Sequence, residues 1–163
     1  MLIRPAQSSD VAAILDIYNE AVLNTTASYE YQPRSFALQM DWFAEHKESG
    51  YPIIVAENTE TQILGWGSLS RYHSRWGYRF TVEDSIYVAV GSRGQGIGKM
   101  LLGRLITSAQ ERQFHTIVAA IDAANMVSRK LHEKFGFIQV GCLREVGYKF
   151  DRWLDVAYMQ LLL

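Results

Sequence analysis

The chain has 163 residues, of which 48% are hydrophobic and 12% aromatic, so it can bury the core of one domain and is not expected to be disordered. The formal net charge of −1, with no basic block, gives little support to general nucleic-acid binding. The N-terminus lacks the apolar segment of a signal peptide, and no run approaches the roughly 18 apolar residues of a membrane helix. We therefore expect a single cytoplasmic domain, residues 1–163, with no membrane partner.

The predicted elements alternate between strands and helices. In chain order, the patterns predict a strand at 2–4, a helix after the capping residues 8–10, a loop at 24–33, a helix at 35–48, strands at 52–57 and 63–70, a loop at 71–79, a strand at 81–90, a helix at about 96–113, a strand at 116–121, a helix at 125–137, and strands at about 138–146 and 153–162. The strand–helix–strand unit at 81–121 implies a parallel crossover, and its flanks resemble hairpins. The fold class is therefore mixed α/β, with a mostly antiparallel sheet.

Cysteine and histidine usage argues against a metal site. Cys142 is the single cysteine, which fits a reducing compartment, and its apolar neighbours predict a core position. No metal-ligand spacing surrounds Cys142 or any pair of histidines. His46 and His115 lie in no motif and are predicted to be surface residues.

Glycines at positions 91, 94, 96 and 98 follow the strand at 81–90 and suggest a phosphate-binding loop. A dinucleotide loop would need glycine where Lys99 or Leu101 stands, and a P-loop would need glycine in place of Arg93 and a hydroxyl residue in place of Met100. What remains is "RGQGIG", at a helix N-terminus whose free N–H groups and dipole favour a pyrophosphate. The alternative is a glycine-rich turn that only begins a helix.

A second motif, N-x-x-S-x-x-L-H-x-x-x-G-F, runs from Asn125 to Phe137. Together with the glycine loop it resembles the GNAT superfamily of acetyl-CoA-dependent N-acetyltransferases, over essentially the whole chain. The stretches "TVEDSIYV", "LHEKFGF" and "VGYKFDRWLDVAYMQL" resemble the branch that acetylates phosphinothricin and methionine sulfoximine. The resemblance implies the GNAT fold, with a central parallel β-α-β unit that binds acetyl-CoA.

The resemblance also implies the contacts of the co-substrate. In the family, pantetheine pairs with the strand before the glycine loop, and the pyrophosphate lies on that loop. Carried to this chain, the implied cofactor contacts are Ile86, Tyr87, Val88, Arg93, Gly94, Gln95, Gly96, Ile97, Gly98, Lys99, Asn125 and Ser128.

Glu83 is the candidate general base, which the reaction needs because an α-amino group is largely an ammonium ion at neutral pH. By alternation, Glu83, Ser85 and Tyr87 share one face of the strand, while Val82, Asp84 and Ile86 share the other. A glutamate in an apolar strand is costly to bury unless it serves a function, and the resemblance places a catalytic glutamate here. The alternative is a solvated or salt-bridged strand residue.

His132 is the second catalytic candidate. Many GNAT members carry a tyrosine at this position, where it protonates the leaving thiolate, and histidine titrates near neutral pH. The alternative is a histidine packed against the sheet. The resemblance further implies a backbone N–H near Val88 as the donor to the developing oxyanion.

The loop "RYHSRWGYRF" is both basic and aromatic, and arginine suits bidentate capture of a carboxylate. We therefore predict an amino-acid substrate held by His73, Arg75 and Arg79. The further predicted substrate contacts are Tyr29, Glu83, Asp84 and Ser85. The alternatives are a solvated surface loop and an RNA-stacking loop, the second disfavoured by the neutral chain.

The predicted function is direct transfer of acetyl from acetyl-CoA to the α-amine of a small amino-acid analogue. The resemblance implies phosphinothricin, methionine sulfoximine and methionine sulfone as acceptors. The alternatives are an acetyltransferase of protein N-termini or lysines, and a non-catalytic acyl-CoA-binding module. The apolar C-terminal strand "WLDVAYMQLLL" predicts a homodimer, because an exposed apolar strand needs a cover.

Overall fold

The computed structural model describes residues 1–163 and contains one seven-stranded sheet. The strands are β1 (Leu2–Pro5), β2 (Ile53–Glu57), β3 (Ile63–Arg71), β4 (Thr81–Val88), β5 (Thr116–Asp122), β6 (Ile138–Lys149) and β7 (Arg152–Leu162). Their order is β1-β2-β3-β4-β5-β7-β6, and every neighbouring pair is antiparallel except β4–β5. This topology confirms the predicted mixed α/β class with one parallel unit.

Four helices cover the two faces of the sheet: α1 (Val11–Asn24), α2 (Phe36–Ser49), α3 (Ile97–Glu111) and α4 (Met126–Glu133). The boundaries of α2 have local causes. Ser35 caps its beginning by accepting a hydrogen bond from the N–H of Leu38 at 3.3 Å, and Gly50 ends it with φ of +76°. No helix has the length and hydropathy needed to span a membrane.

Each face of the sheet has its own hydrophobic core. On one face, α1 and α2 pack on β2 and β3 through a cluster that includes Ile14, Phe43 and Trp66. On the other face, α3 packs through a larger cluster that includes Leu101, Leu105 and Met159. The alternation of strand side chains therefore decides which helices each residue faces.

The structure corrects several sequence predictions. β7 is an inner strand between β5 and β6, so the edge strand at this end of the sheet is β6 and not the C-terminal strand. The core position predicted for Cys142 is wrong, because Cys142 lies exposed on that edge strand. The surface position predicted for His46 is also wrong. Its side chain is buried against the sheet, with Nε2 at 2.9 Å from Ser70 Oγ.

Candidate active site

The parallel strands β4 and β5 separate soon after they begin. Only Thr81–Glu83 of β4 pair with Thr116–Val118 of β5, although β4 continues to Val88 and β5 to Asp122. Beyond Glu83, β4 is paired with β3 alone, so its other side is an open edge. This open edge of β4 can take an extended ligand by strand-like pairing.

The backbone direction at Val88 follows from its neighbour. The N–H of Ala89 donates to the carbonyl of Leu64 at 2.9 Å, on the β3 side. Because successive residues of a strand point their backbone groups to opposite sides, the N–H and carbonyl of Val88 face the open edge. Arg93 Nε donates to this Val88 carbonyl at 3.2 Å, which agrees with that direction.

The glycine loop connects the open edge to α3. Gly94 and Gly96 adopt φ of +77° and +81°, which glycine tolerates and most residues do not. No atom lies within 4 Å of the Cβ position at either glycine, so a ligand can approach the backbone closely. Gly96 caps α3 without a side-chain bond, which leaves the first-turn N–H groups available to an anion. These features fit a pyrophosphate.

The charged and polar residues predicted to bind the co-substrate around the glycine loop differ in how free their side chains are to meet a ligand. Arg93 pairs with Glu20 of α1 at 2.9 Å, so its guanidinium is turned toward that helix. Lys99 is exposed at the beginning of α3. Asn125 Oδ1 accepts a hydrogen bond from the Ser128 N–H at 3.1 Å and caps α4, which leaves its Nδ2 group for a ligand.

Glu83 is half-buried at the point where β5 leaves β4. Burial raises the pKa of this carboxyl above its ordinary value, and the negative charge of Asp84 raises it further. On the same face, the ring of Tyr87 stacks on Trp66 at 4.8 Å and meets Tyr18 edge-on at 5.4 Å. A carboxyl with a raised pKa holds an accepted proton more tightly than an ordinary glutamate does, which suits a general base.

His132 and Asp84 form a buried pair on the opposite face from Glu83. His132 is 3% exposed, and its Nε2 lies 3.0 Å from Asp84 Oδ2. Its Nδ1 lies 2.8 Å from the carbonyl of Ser128, which can only accept, so Nδ1 carries a proton. Burial lowers the pKa of His132, but the hydrogen bond and charge of Asp84, with the Ser128 carbonyl, outweigh it and leave the pKa raised.

This geometry separates the two predicted catalytic residues. His132 connects α4 to β4, because Nδ1 is hydrogen-bonded to the Ser128 carbonyl and Nε2 to Asp84. His132 can transfer a proton directly to a substrate only if one of these hydrogen bonds breaks. Sequence alternation had already placed Asp84 on the face away from Glu83. What it did not reveal was the partner, which lies 48 residues further along the chain.

The predicted substrate loop surrounds a cavity of about 350 Å³. Arg71, His73, Arg75 and Arg79 line it, together with Arg112, which the sequence analysis did not single out. Arg79 also lies over the rings of Phe80, at 4.4 Å, and Trp76, at 5.0 Å. The cavity is thus a basic and aromatic site suited to an anionic group.

Two other predicted substrate residues lie elsewhere. Tyr29 does not line this cavity; its ring lies over Gly147 of β6. Ser85 is half-buried opposite Ser68 of β3. The structure therefore gathers His73, Arg75 and Arg79 but keeps Tyr29 apart from them. Sequence reasoning also missed the buried Lys149, although it lies in a stretch that carried the family resemblance.

Comparison with known proteins agrees with this geometry. Residues 12–137 match the model of the acetyltransferase (GNAT) family. The L-methionine sulfoximine/L-methionine sulfone acetyltransferase of Pseudomonas aeruginosa is 43% identical over 159 residues, covering 98% of this chain and 92% of that protein.

Two solved structures share the fold at similar identity. A GNAT superfamily phosphinothricin acetyltransferase from Sinorhizobium meliloti, in complex with acetyl-CoA, has a TM-score of 0.97 and 39% identity, covering 99% of this chain and 88% of that one. A ribosomal-protein-alanine N-acetyltransferase from Brucella melitensis has a TM-score of 0.98 and 41% identity, covering 100% of both chains. The family model, these relatives and the separated β4–β5 pair agree, and the chain belongs to the GNAT family of acetyltransferases.

Proposed function

We propose that residues 1–163 form a single catalytic domain that transfers acetyl from acetyl-CoA to the α-amine of a small amino-acid analogue. Methionine sulfoximine, methionine sulfone and phosphinothricin are the proposed acceptors, in line with the names of the relatives. The observation that carries the proposal is the position of Glu83. This half-buried carboxyl with a raised pKa stands where the open edge of β4 begins.

The co-substrate site combines the open edge and the glycine loop. Ile86, Tyr87 and Val88 would hold pantetheine along β4, and Gly94–Lys99 would hold the pyrophosphate at the N-terminus of α3. Asn125 Nδ2 and Ser128 would contact the cofactor arm from α4. Bound acetyl-CoA would supply the acetyl group as an activated thioester.

Glu83 accepts a proton from the ammonium group of the acceptor, which frees the nitrogen lone pair for attack. As the C–S bond breaks, the nitrogen loses a second proton, which balances the proton that the leaving thiolate takes up. The N–H of Val88 faces the open edge and donates to the carbonyl oxygen on which negative charge develops. His132 is the proposed source of the proton for the leaving thiolate, and this transfer requires one ring nitrogen to leave Asp84 or the Ser128 carbonyl. Cys142, the single cysteine, lies on β6, two positions from β5 in the sheet, which supports direct attack without an acetylated enzyme.

The basic cavity is the proposed site for the acceptor's carboxylate. His73, Arg75 and Arg79 line it in the loop that leads into β4, and Arg79 stands four residues before Glu83 in the chain. Guanidinium groups bind carboxylates through paired hydrogen bonds, which fixes the orientation of an amino acid.

A thiol-release assay with acetyl-CoA tests the proposed acceptor class. The panel contains methionine sulfone, methionine sulfoximine, phosphinothricin, ordinary amino acids and an alanine-initiated peptide. We expect release with the sulfone, the sulfoximine or phosphinothricin, and little with the peptide. Release with the peptide alone would contradict the proposal.

The assay includes a peptide because one relative supports a second candidate function, the acetylation of a protein N-terminus. The Brucella melitensis structure, at 41% identity, carries the name of a ribosomal-protein-alanine N-acetyltransferase. Acetylation of a protein N-terminus needs no carboxylate site next to the amine, so the arginine-lined cavity favours the small acceptor.

A homodimer in the cytoplasm is also proposed. The edge strand β6 exposes apolar side chains, since Ile138 is 65% exposed and Val140 is 54% exposed. A long apolar edge is an aggregation risk unless a second copy covers it. The unpaired Cys142 agrees with a reducing compartment.

A further inference from the structure

Lys149 carries a buried charge that the proposed mechanism does not use. It is 2% exposed, and its Nζ donates to the carbonyls of Val22 at 2.7 Å, Thr25 at 2.9 Å and Ser28 at 2.5 Å. An ammonium group has three N–H donors, so all of them are used. A buried charge is costly unless it is fully hydrogen-bonded, and the three carbonyls meet that requirement without a carboxylate.

The three carbonyls belong to the end of α1 and the segment that follows it. Val22 lies in the last turn of α1, where unpaired carbonyls carry the negative end of the helix dipole. Thr25 and Ser28 lie in residues 25–31, here called the acceptor loop. One lysine therefore fixes the direction in which the chain leaves α1.

The acceptor loop joins the two strands that have separated. The hydroxyl of Tyr87, on β4, donates to the Ala27 carbonyl at 3.3 Å. The hydroxyl of Thr26 donates to a carboxylate oxygen of Asp122, at the end of β5. Both contacts lie beyond the last paired residues of β4 and β5. The loop thus crosses the gap on the face that Glu83 and Tyr87 share.

The acceptor loop also rests on β6 beside Lys149. Gly147 and Lys149 point to the buried side of β6, and a Cβ on Gly147 would overlap the ring of Tyr29. The bulge between Leu143 and Gly147 shifts the register of β6 against β7 just before this contact. Tyr29 and the lysine contacts are therefore held by the same short segment of β6.

We propose that Lys149 is a positioning residue that holds the acceptor loop across the gap between β4 and β5, and that it thereby sets the affinity for the amine acceptor. The inference rests on the proposed function, because that function defines the acceptor. The inference assigns co-substrate binding and acceptor binding to different segments around the gap between β4 and β5. The glycine loop and α4 hold the co-substrate, whereas the acceptor loop, held by Lys149, forms a wall of the acceptor site that is separate from the basic cavity proposed for the carboxylate.

Lys149→Met tests the role by removing the three donors while keeping an unbranched side chain. We expect the KM for methionine sulfone to rise by about tenfold or more, and the KM for acetyl-CoA to stay within about twofold of wild type. Backbone amides of residues 25–31 should exchange hydrogen faster in the unliganded variant. Thr26→Val, which cuts the contact with Asp122 and is half-exposed, should give the same pattern with a smaller change.

Leu105→Ala is the matched control, because it destabilises the core under α3 without touching the acceptor loop. It should lower Tm and leave both KM values near those of wild type. A rise of both KM values together in Lys149→Met, or an unchanged acceptor KM despite faster loop exchange, would overturn the inference. If Lys149→Met does not fold, Thr26→Val decides between the same outcomes. Failure of the proposed function would be visible separately, as wild-type protein that acetylates none of the small acceptors.

Discussion

Glu83 has the raised proton affinity of a useful base because burial, followed by the charge of Asp84, raises the pKa of its carboxyl. A base acts only when deprotonated, so the wild-type rate should rise as pH rises through this pKa, above the ordinary value of 4.5. Glu83→Gln should lower kcat by about 10²- to 10⁴-fold and move the pH profile upward, toward the titration of the acceptor amine itself.

Steady-state kinetics from acidic to alkaline pH would check this expectation. Acetyl-CoA affinity, measured by calorimetry, is the control and should hardly change, because the proposed co-substrate contacts lie beyond Glu83 on β4. Unchanged turnover in Glu83→Gln would show that another group takes the proton.

The Asp84–His132 pair should contribute to stability in a pH-dependent way. The pKa of His132 is raised in the folded state, so its proton is bound more tightly there than in the unfolded chain. The contribution is therefore complete below the unfolded value of about 6.5 and is lost as pH rises through the higher folded pKa. Asp84→Asn should cost about 3 kcal/mol at mildly acidic pH, just below about 6.5, and less at alkaline pH.

Urea unfolding of wild type and Asp84→Asn across this pH range would measure the difference. Ser85→Ala, at the neighbouring half-buried position, is the matched control and should show no such pH trend. A difference that grows as pH rises would contradict the assigned ion pair.

For single residues, the sequence predicts which face of a strand a side chain lies on but not its distant partner. Alternation along β4 is a local property, and it separated Glu83 from Asp84 without any knowledge of the fold. The partner of Asp84 depends on where α4 docks, and the partners of Lys149 lie more than 120 residues earlier in the chain. Long-range hydrogen bonds of this kind have no local signal.

At the scale of elements, Gly65 and Gly67 of β3 let α3 lie close to the sheet. A Cβ on Gly65 would lie 2.9 Å from the Tyr87 carbonyl and 3.2 Å from Ile97, the first residue of α3. Gly65→Ala should therefore destabilise the fold by about 1–3 kcal/mol, as overpacking does. It should also raise the KM for acetyl-CoA, because a shift of Ile97 moves the glycine loop.

Thermal unfolding and the two KM values would test the effect of Gly65→Ala. Gly141→Ala is the control, since no atom lies within 4 Å of its Cβ position and its φ is not positive. An acetyl-CoA KM equal to that of wild type would mean that the glycine loop does not depend on this close contact.

Element types and most boundaries could be predicted because periodicity and turn residues are local signals. The boundary predictions failed by a few residues where a helix or strand passes into a tight turn. The helix predicted at 125–137 ends at Glu133, because residues 134–136 form a turn that closes at Gly136 with φ of +88°. The strand predicted at 81–90 ends at Val88, where a 3₁₀ turn begins at Val90.

At the scale of the whole molecule, the sequence predicted a parallel unit within an antiparallel sheet but not the order of the last two strands. Both β6 and β7 are rich in apolar residues, so either strand of the hairpin could pair with β5. The structure places β7 next to β5 with Leu154, Val156 and Met159 buried, and it leaves β6 as the edge. The strand that needs a cover is therefore β6.

The proposed dimer, in which a second copy covers β6, makes a definite prediction. Ile138 and Val140 are exposed on this edge, and a lysine at an edge position opposes strand pairing through charge and desolvation. The double variant Ile138→Lys, Val140→Lys should sediment at the mass of one chain, whereas the wild type should sediment at twice that mass. Leu38→Lys, on an exposed apolar residue of α2, is the matched control and should remain dimeric. Wild-type protein that is monomeric at micromolar concentration would exclude the dimer. Loss of the dimer in the Leu38 variant would instead place the interface on α2.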